Sequence, residues 1–204
     1  MTARSDLPPW PDTAPAHGGA VLRRPRTADA EMARELATDP YVPLIGTLPA
    51  HASSDEAIAW VERQRARYDD GAGFSFTIVE RATGAAVGSC GLWLRELADG
   101  RASIGYSLVP SARGRGLATD ALLALTAFAW TVPALHRVEL RIEPGNTGSL
   151  AVAERAGYVR EGVLRSHEEI GGRRVDMVIL AVVRPSGPGP GHARHRTRSD
   201  PYPG

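Results

Sequence analysis

Lysine does not occur in this 204-residue chain; all 24 of its basic residues are arginine. A phosphate loop of the Gly-Lys-Ser/Thr kind, which needs its lysine to reach the outer phosphates of a nucleoside triphosphate, is thereby excluded. Cysteine is represented once, by Cys90, so neither an intramolecular disulfide nor a cysteine-rich metal site can form, and no metal is expected. Cys90 lies in the apolar run Ala86 to Trp93 and is expected as a core thiol, not a nucleophile. No apolar stretch reaches the ~18 residues needed to span a bilayer. The first residues show neither the basic start nor the apolar run of a secretory leader, so the reading is a cytoplasmic chain with no membrane partner.

Charge is balanced overall, at +1, but unevenly spread. The segment from Arg184 onward holds an excess of arginine, whereas the middle is near neutral. A basic face of the kind that binds nucleic acid is therefore not expected on the folded body. Residues 184–204, rich in Pro, Gly and Arg, and residues 1–19, with Pro8, Pro9, Pro11 and Pro15, are expected as flexible ends flanking one domain over 20–183.

Between those ends, strand and helix signals alternate. Val21 to Arg24 reads as a strand. Thr27 heads a helix toward Leu36, and Ser53 or Ser54 caps a second helix carrying Ala57, Ile58, Trp60, Val61 and Tyr68 on an apolar stripe. Phe74 to Glu80, Ala85 to Leu94 and Arg101 to Val109, joined by short Gly-bearing loops, predict an antiparallel meander. An apolar helix follows from Leu117 to Trp130. The alternation at Val138, Leu140 and Ile142 predicts a half-buried strand. A short helix ends at Gly157, and a last strand spans Val175 to Val183.

The most informative stretch joins the third meander strand to the apolar helix: Val109-Pro110-Ser111-Ala112-Arg113-Gly114-Arg115-Gly116-Leu117-Ala118-Thr119. Two glycines let the backbone bend and present consecutive N–H groups, and the helix places its positive dipole end at the loop, which is the make-up of an anion site. A dinucleotide fingerprint, Gly-x-Gly-x-x-Gly, is a competitor, with Glu143 as ribose-binding acid, but Thr119 stands where the third glycine belongs.

Read from its arginine, the loop is Arg113-x-x-Gly116-x-Ala118. With Asn146-Thr147-Gly148-Ser149, Ala156-Gly157-Tyr158 and Arg160 to Arg165 following in order, the chain resembles the GCN5-related N-acetyltransferase superfamily, in its ribosomal-protein alanine acetyltransferase branch, over roughly residues 18 to 183. The resemblance implies a mixed α/β (α+β) acyl-CoA N-acyltransferase fold: a central, mostly antiparallel twisted sheet of about seven strands flanked by about four helices. It implies acetyl-CoA as co-substrate, held by Leu108 and Val109 through the backbone, by the loop residues Arg113, Gly114, Arg115, Gly116, Leu117, Ala118 and Thr119, and by Asn146 and Ser149. The loops that shape the amine pocket in such proteins suggest Tyr41, Trp93 and Glu168 as its lining.

Transfer of an acyl group from a thioester to an amine needs a neutral amine, a donor for the developing oxyanion and a proton for the departing thiolate. The tyrosine acid of many relatives is replaced here by Ala153. The branch resemblance instead assigns the acid to Ser149 and the base to Glu168. The expected acceptor is a small-molecule amine or a protein N-terminus, and the assembly a monomer or homodimer. A catalytically inactive acyl-CoA sensor and a dinucleotide-dependent oxidoreductase are the alternatives from other classes.

Overall fold

In the computed structural model, residues 7–185 are described. Eight strands form one sheet in the order β1-β2-β3-β4-β5-β6-β8-β7: β1 Ala16–His17, β2 Ala20–Arg23, β3 Gly73–Glu80, β4 Ala86–Trp93, β5 Arg101–Leu108, β6 Arg137–Ile142, β7 Val159–Ile170 and β8 Arg173–Val183. The helices are α1 Ala30–Leu36, α2 Val42–Ile45, α3 Ser54–Asp69, α4 Leu117–Ala129 and α5 Thr147–Arg155. The sheet and helix count exceed the expected seven and four by β1, two residues long, and α2, four residues long. Elements that short carry no periodicity for a sequence reading to detect.

Burial sorts these elements into layers. Phe74 and Phe76 of β3 pack edge-on against Phe128 of α4 at 4.8 and 5.3 Å between ring centroids, which fixes α4 on one face of the sheet. On the opposite face, Thr77 of β3 donates to Asp29, at the start of α1, at 2.7 Å. Arg23 grips the same carboxylate through Nη1 at 2.8 Å and Nη2 at 2.6 Å. Burial alone would raise the Asp29 pKa, but these hydrogen bonds and the Arg26 backbone N–H outweigh it and hold the carboxyl below its ordinary value. Ser53 caps α3 in a capping box with Glu56, as its sequence suggests.

Every strand pair is antiparallel except β5 with β6, and this junction positions the site. The two strands pair only over Arg101↔Arg137, Ala102↔Val138 and Ser103↔Glu139. Beyond Ser103 they diverge, β5 toward the glycine loop and β6 toward Glu143. Val109 N–H donates to Val87 O at 3.0 Å, so on β5 the odd-numbered residues bond to β4. By the alternation of an antiparallel ladder, Ile104, Tyr106 and Leu108 turn their backbone groups toward the gap.

Both ends of the described residues make contacts with the body. Trp10 packs on Tyr68, Phe74 and Phe76 with centroids 5.5, 5.5 and 4.9 Å away. Gly19 N–H donates to the Asp120 carboxylate of α4 at 2.8 Å. Residues 7–19 therefore lie against the body, because one buried aromatic surface outweighs the proline content around it. At the other end, Arg184 donates to the carbonyls of Trp130, Val132 and Leu135 at 3.0, 2.6 and 2.6 Å. A cation there caps the C-terminus of α4 and belongs to the fold. Residues 1–6 and 186–204, with the rest of the expected tails, lie outside the described residues.

Candidate active site

The divergence of β5 from β6 opens a cleft of about 1490 Å³, lined by both strands, the N-terminus of α4, the start of α5, the segment from Leu36 to Leu48, one face of α3 and the β7–β8 hairpin. Its first wall is the glycine loop. Gly114 and Gly116 have φ of 75° and 80°, in the left-handed region, and a Cβ at either would meet nothing within 4 Å. Glycine is thus required by backbone geometry, and the space beside it stays open. Gly116 is the N-cap of α4 and supplies no side-chain cap, so the N–H groups of the first turn face the cleft without a local acceptor. The Thr119 Oγ1 is buried there with no hydrogen-bond partner. Leu117 and Ala118 complete this wall. Uncapped amides, an orphaned hydroxyl and room beside two left-handed glycines are features that fit a pyrophosphate group.

Three of the residues expected at this wall also make contacts within the protein. Arg113 donates through Nε and Nη2 to Leu108 O at 3.3 and 3.1 Å, and its Nη2 lies 2.6 Å from the buried Asp39 carboxylate. Its guanidinium is therefore a clamp between the end of β5 and the segment that follows α1. Arg115 turns away to pair with Glu80 of β3 and does not line the cleft. Val109, only 2% exposed, spends its N–H on Val87 and its carbonyl on Ala112. On β5 the backbone groups that face the gap are those of Ile104, Tyr106 and Leu108.

The second wall starts at Asn146, the N-cap of α5, whose Oδ1 accepts from Ser149 N–H at 3.1 Å. That cap turns Ser149 toward the cleft. Tyr106 of β5 reaches across the gap, its hydroxyl donating to Ser149 O at 3.4 Å. Burial raises the Tyr106 pKa against the opposing pull of Ser149 and Arg155, so the phenol keeps its proton. Cys90 also borders the cleft, but its thiol is 4% exposed and burial pushes its pKa up, as expected of a core thiol.

The third wall gathers carboxylates. The β7–β8 pairing shifts register between Leu164 and Glu168. Ser166 sits at the shift with φ of 48°, its N–H bonded to Asp176 at 2.8 Å. Such a bulge re-aims the following side chains, and Glu168 lines the cleft, half-buried, while Glu169 is exposed. Glu143 stands at the end of β6 on the same cleft. Tyr41 lies between them: burial, then the Glu143 carboxylate, then Glu168 push its pKa up to about 12 against a hydrogen bond from Asn146. Trp93 borders the cleft from β4. Tyr41, Ser149, Asn146 and Glu168 are thus brought together. Sequence reasoning offered Glu143 only as the ribose-binding acid of the competing dinucleotide reading, and it did not single out Tyr106 as a site residue.

A sheet split at a parallel junction, with a glycine loop and uncapped helix at one end and carboxylates at the other, defines an acyl-CoA-dependent transferase architecture. The sequence model of the family described as "Acetyltransferase (GNAT) domain" matches residues 20–159, and the chain belongs to this family of acetyl-CoA-dependent acetyltransferases. It is 27% identical over 164 residues to the uncharacterized N-acetyltransferase p20 of Bacillus licheniformis, covering 80% of this chain and 92% of p20. Mycobacterium smegmatis RimJ, solved in complex with CoA-disulfide, is 29% identical with a TM-score of 0.70, covering 86% of this chain and 88% of RimJ. RimL, a ribosomal L7/L12 alpha-N-protein acetyltransferase solved with coenzyme A, shares the fold at a TM-score of 0.73 and 20% identity, over 84% of this chain and 98% of RimL.

Proposed function

We propose that the protein transfers the acetyl group of acetyl-CoA to a primary amine by direct attack, with Glu168 removing the amine proton and Ser149 returning a proton on the leaving-group side. The observation that carries this reading is the placement of Glu168, Glu143 and Tyr41 on one wall and Ser149 with Tyr106 on another wall of a single cleft. Acetyl-CoA, when bound, supplies the activated acyl group. The α4 N-terminus, with Gly114, Gly116 and Thr119, holds its pyrophosphate, and the backbone of Ile104, Tyr106 and Leu108 borders the channel for its pantetheine arm.

An amine enters protonated at neutral pH, and two carboxylates attract it by charge. Glu168, half-buried on the bulged strand, then accepts the proton directly or through a water. Ser149 is fixed by the Asn146 cap, and Tyr106 stands against it as a second protonated hydroxyl. The acceptor is a primary amine of a small molecule or of a protein N-terminus.

The pH–rate profiles of two variants test the assignment. Glu168→Gln is expected to lower kcat by about 10² to 10⁴-fold and to recover partly at high pH, where free amine is abundant. Ser149→Ala is expected to slow turnover without alkaline recovery. A Glu168→Gln enzyme within about threefold of wild type throughout would place the base elsewhere, with Glu143 the next carboxylate to test.

A further inference from the structure

The acceptor side of the cleft contains a cation that the acetyl-transfer reading leaves unused. Trp60, Gln64 and Arg67 lie on one face of α3, at helical spacing, and all three border the cleft. Below them, Ser75, Gly91 and Gly105 form one row across β3, β4 and β5, since residues directly opposite on paired strands share a face. The Trp93 indole lies across that row. A Cβ on Gly91 would come within 3.1 Å of its ring, and one on Gly105 within 3.2 Å, so the ring packs directly on these two glycines.

The Arg67 guanidinium stands 5.3 Å from the Trp93 ring centroid. It is half-buried, and among the described residues no carboxylate pairs with it. The charge nearest in effect is of its own sign: burial and the Arg95 guanidinium both lower its pKa. Two neutral polar side chains line the same cleft. Ser75 is 2% exposed and its Oγ has no hydrogen-bond partner. Gln64 is 5% exposed and donates only to its own helix, from Nε2 to Trp60 O at 3.4 Å. A half-buried cation with no carboxylate partner and a buried hydroxyl with no hydrogen-bond partner are each unfavourable as they stand. A planar oxyanion would satisfy both, because a guanidinium fork matches a carboxylate and a hydroxyl can donate to it.

Resting on the acetyl-transfer reading above, we propose that Arg67, with Ser75 and Gln64, binds a carboxylate of the acceptor, so that the substrate is a primary amine that also carries a carboxylate group. Its ammonium end faces Glu143 and Glu168, and its anionic end faces α3. The two ends of the cleft thus read opposite charges on one molecule, which selects against simple polyamines as well as against neutral amines. The carboxylate can belong to a free amino-acid-like molecule or to an acidic side chain close to a protein N-terminus.

Matched acceptors test this with the full-length protein, by thiol release from acetyl-CoA. One series pairs free amino acids with their carboxamides; the other pairs C-terminally amidated tripeptides Ser-Asp-Ala and Ser-Asn-Ala. The wild type is expected to show kcat/KM at least about tenfold higher for the carboxylate member of one series, and that series identifies the source of the carboxylate. Arg67→Met should reduce the ratio to within about twofold. Ser75→Ala, which removes only the hydroxyl, should reduce it by a smaller factor, and serves if Arg67→Met does not fold. Equal use of acid and amide by the wild type in both series, with thiol still released, would overturn the carboxylate site alone. So would an unchanged ratio in a folded Arg67→Met enzyme. Thiol release that no amine increases would overturn the acetyl-transfer reading, and this inference with it.

Discussion

The two ends of the cleft are built by different means. At the α4 end, one continuous stretch of chain does the work with its backbone: left-handed glycines, uncapped N–H groups and a single buried hydroxyl. At the acceptor end, side chains from α3, β4, β6, β7 and the segment around Tyr41 converge, and each is placed by a different element. The first end is suited to a ligand portion common to every turnover. The second can vary residue by residue without disturbing the first, and it is where a family with one acyl donor can differ in acceptor.

The sharpest way to break this contrast is at Gly116. Gly116→Asp adds a negative charge at the open side of the α4 N-terminus and forces a non-glycine residue to φ of 80°. Because a Cβ there meets nothing within 4 Å, the expected loss is electrostatic: acetyl-CoA affinity, measured by calorimetry, falls by about 10²-fold or more. Gly116→Ala, with the same backbone demand and no charge, should cost about 1 kcal/mol of stability and far less affinity. Equal losses in the two variants would assign the effect to backbone strain.

Arg113 ties the two ends together, so its removal should be felt at both. Arg113→Gln releases Leu108 O and Asp39 at once and is expected to raise KM for acetyl-CoA and for the amine by about tenfold each, by loss of positioning. A change confined to acetyl-CoA would mean that the guanidinium acts on the donor directly. The same link has a pH signature. Burial raises the Asp39 pKa, but hydrogen bonds from the Val42 and Tyr41 N–H groups and from Arg113 outweigh it, leaving the carboxyl below its ordinary 3.8. A depressed folded-state pKa stabilises the fold above the ordinary value, and that contribution is lost as pH falls through the folded one. Thermal unfolding should therefore show a steeper decline below about pH 4 in wild type than in Asp39→Asn. Parallel acid limbs would remove Asp39 from the account of stability.

The smallest effect on turnover is expected far from both ends. Trp10→Ala strips the aromatic cluster with Tyr68, Phe74 and Phe76. It should lower stability by about 1 to 3 kcal/mol, seen as a Tm drop of several degrees, while kcat at low temperature stays within about twofold. An unchanged Tm would return residues 7–19 to the status of an unpacked end.

What was legible in the sequence follows the same division. The glycine loop, the helix it opens and the Asn146–Ser149 cap are local, and local spacing carries their physics. The meander and the alternation in β6 were equally visible. The register shift around Ser166 was not, since a two-stranded bulge depends on what the opposite strand offers. Arg67 did not stand out, because its lack of a carboxylate partner exists only in three dimensions. Glu143 was visible only as an acid of the competing dinucleotide reading, and Trp10 was hidden by the prolines beside it.

The most direct test of the central claim is thiol release from acetyl-CoA by the wild-type protein across primary amines and N-terminal peptides, with product mass measured in parallel. The account predicts release that depends on the amine and matches an N-acetylated product one for one. Tight acetyl-CoA binding with no amine-dependent thiol release would contradict it and make the cleft that of an acyl-CoA sensor.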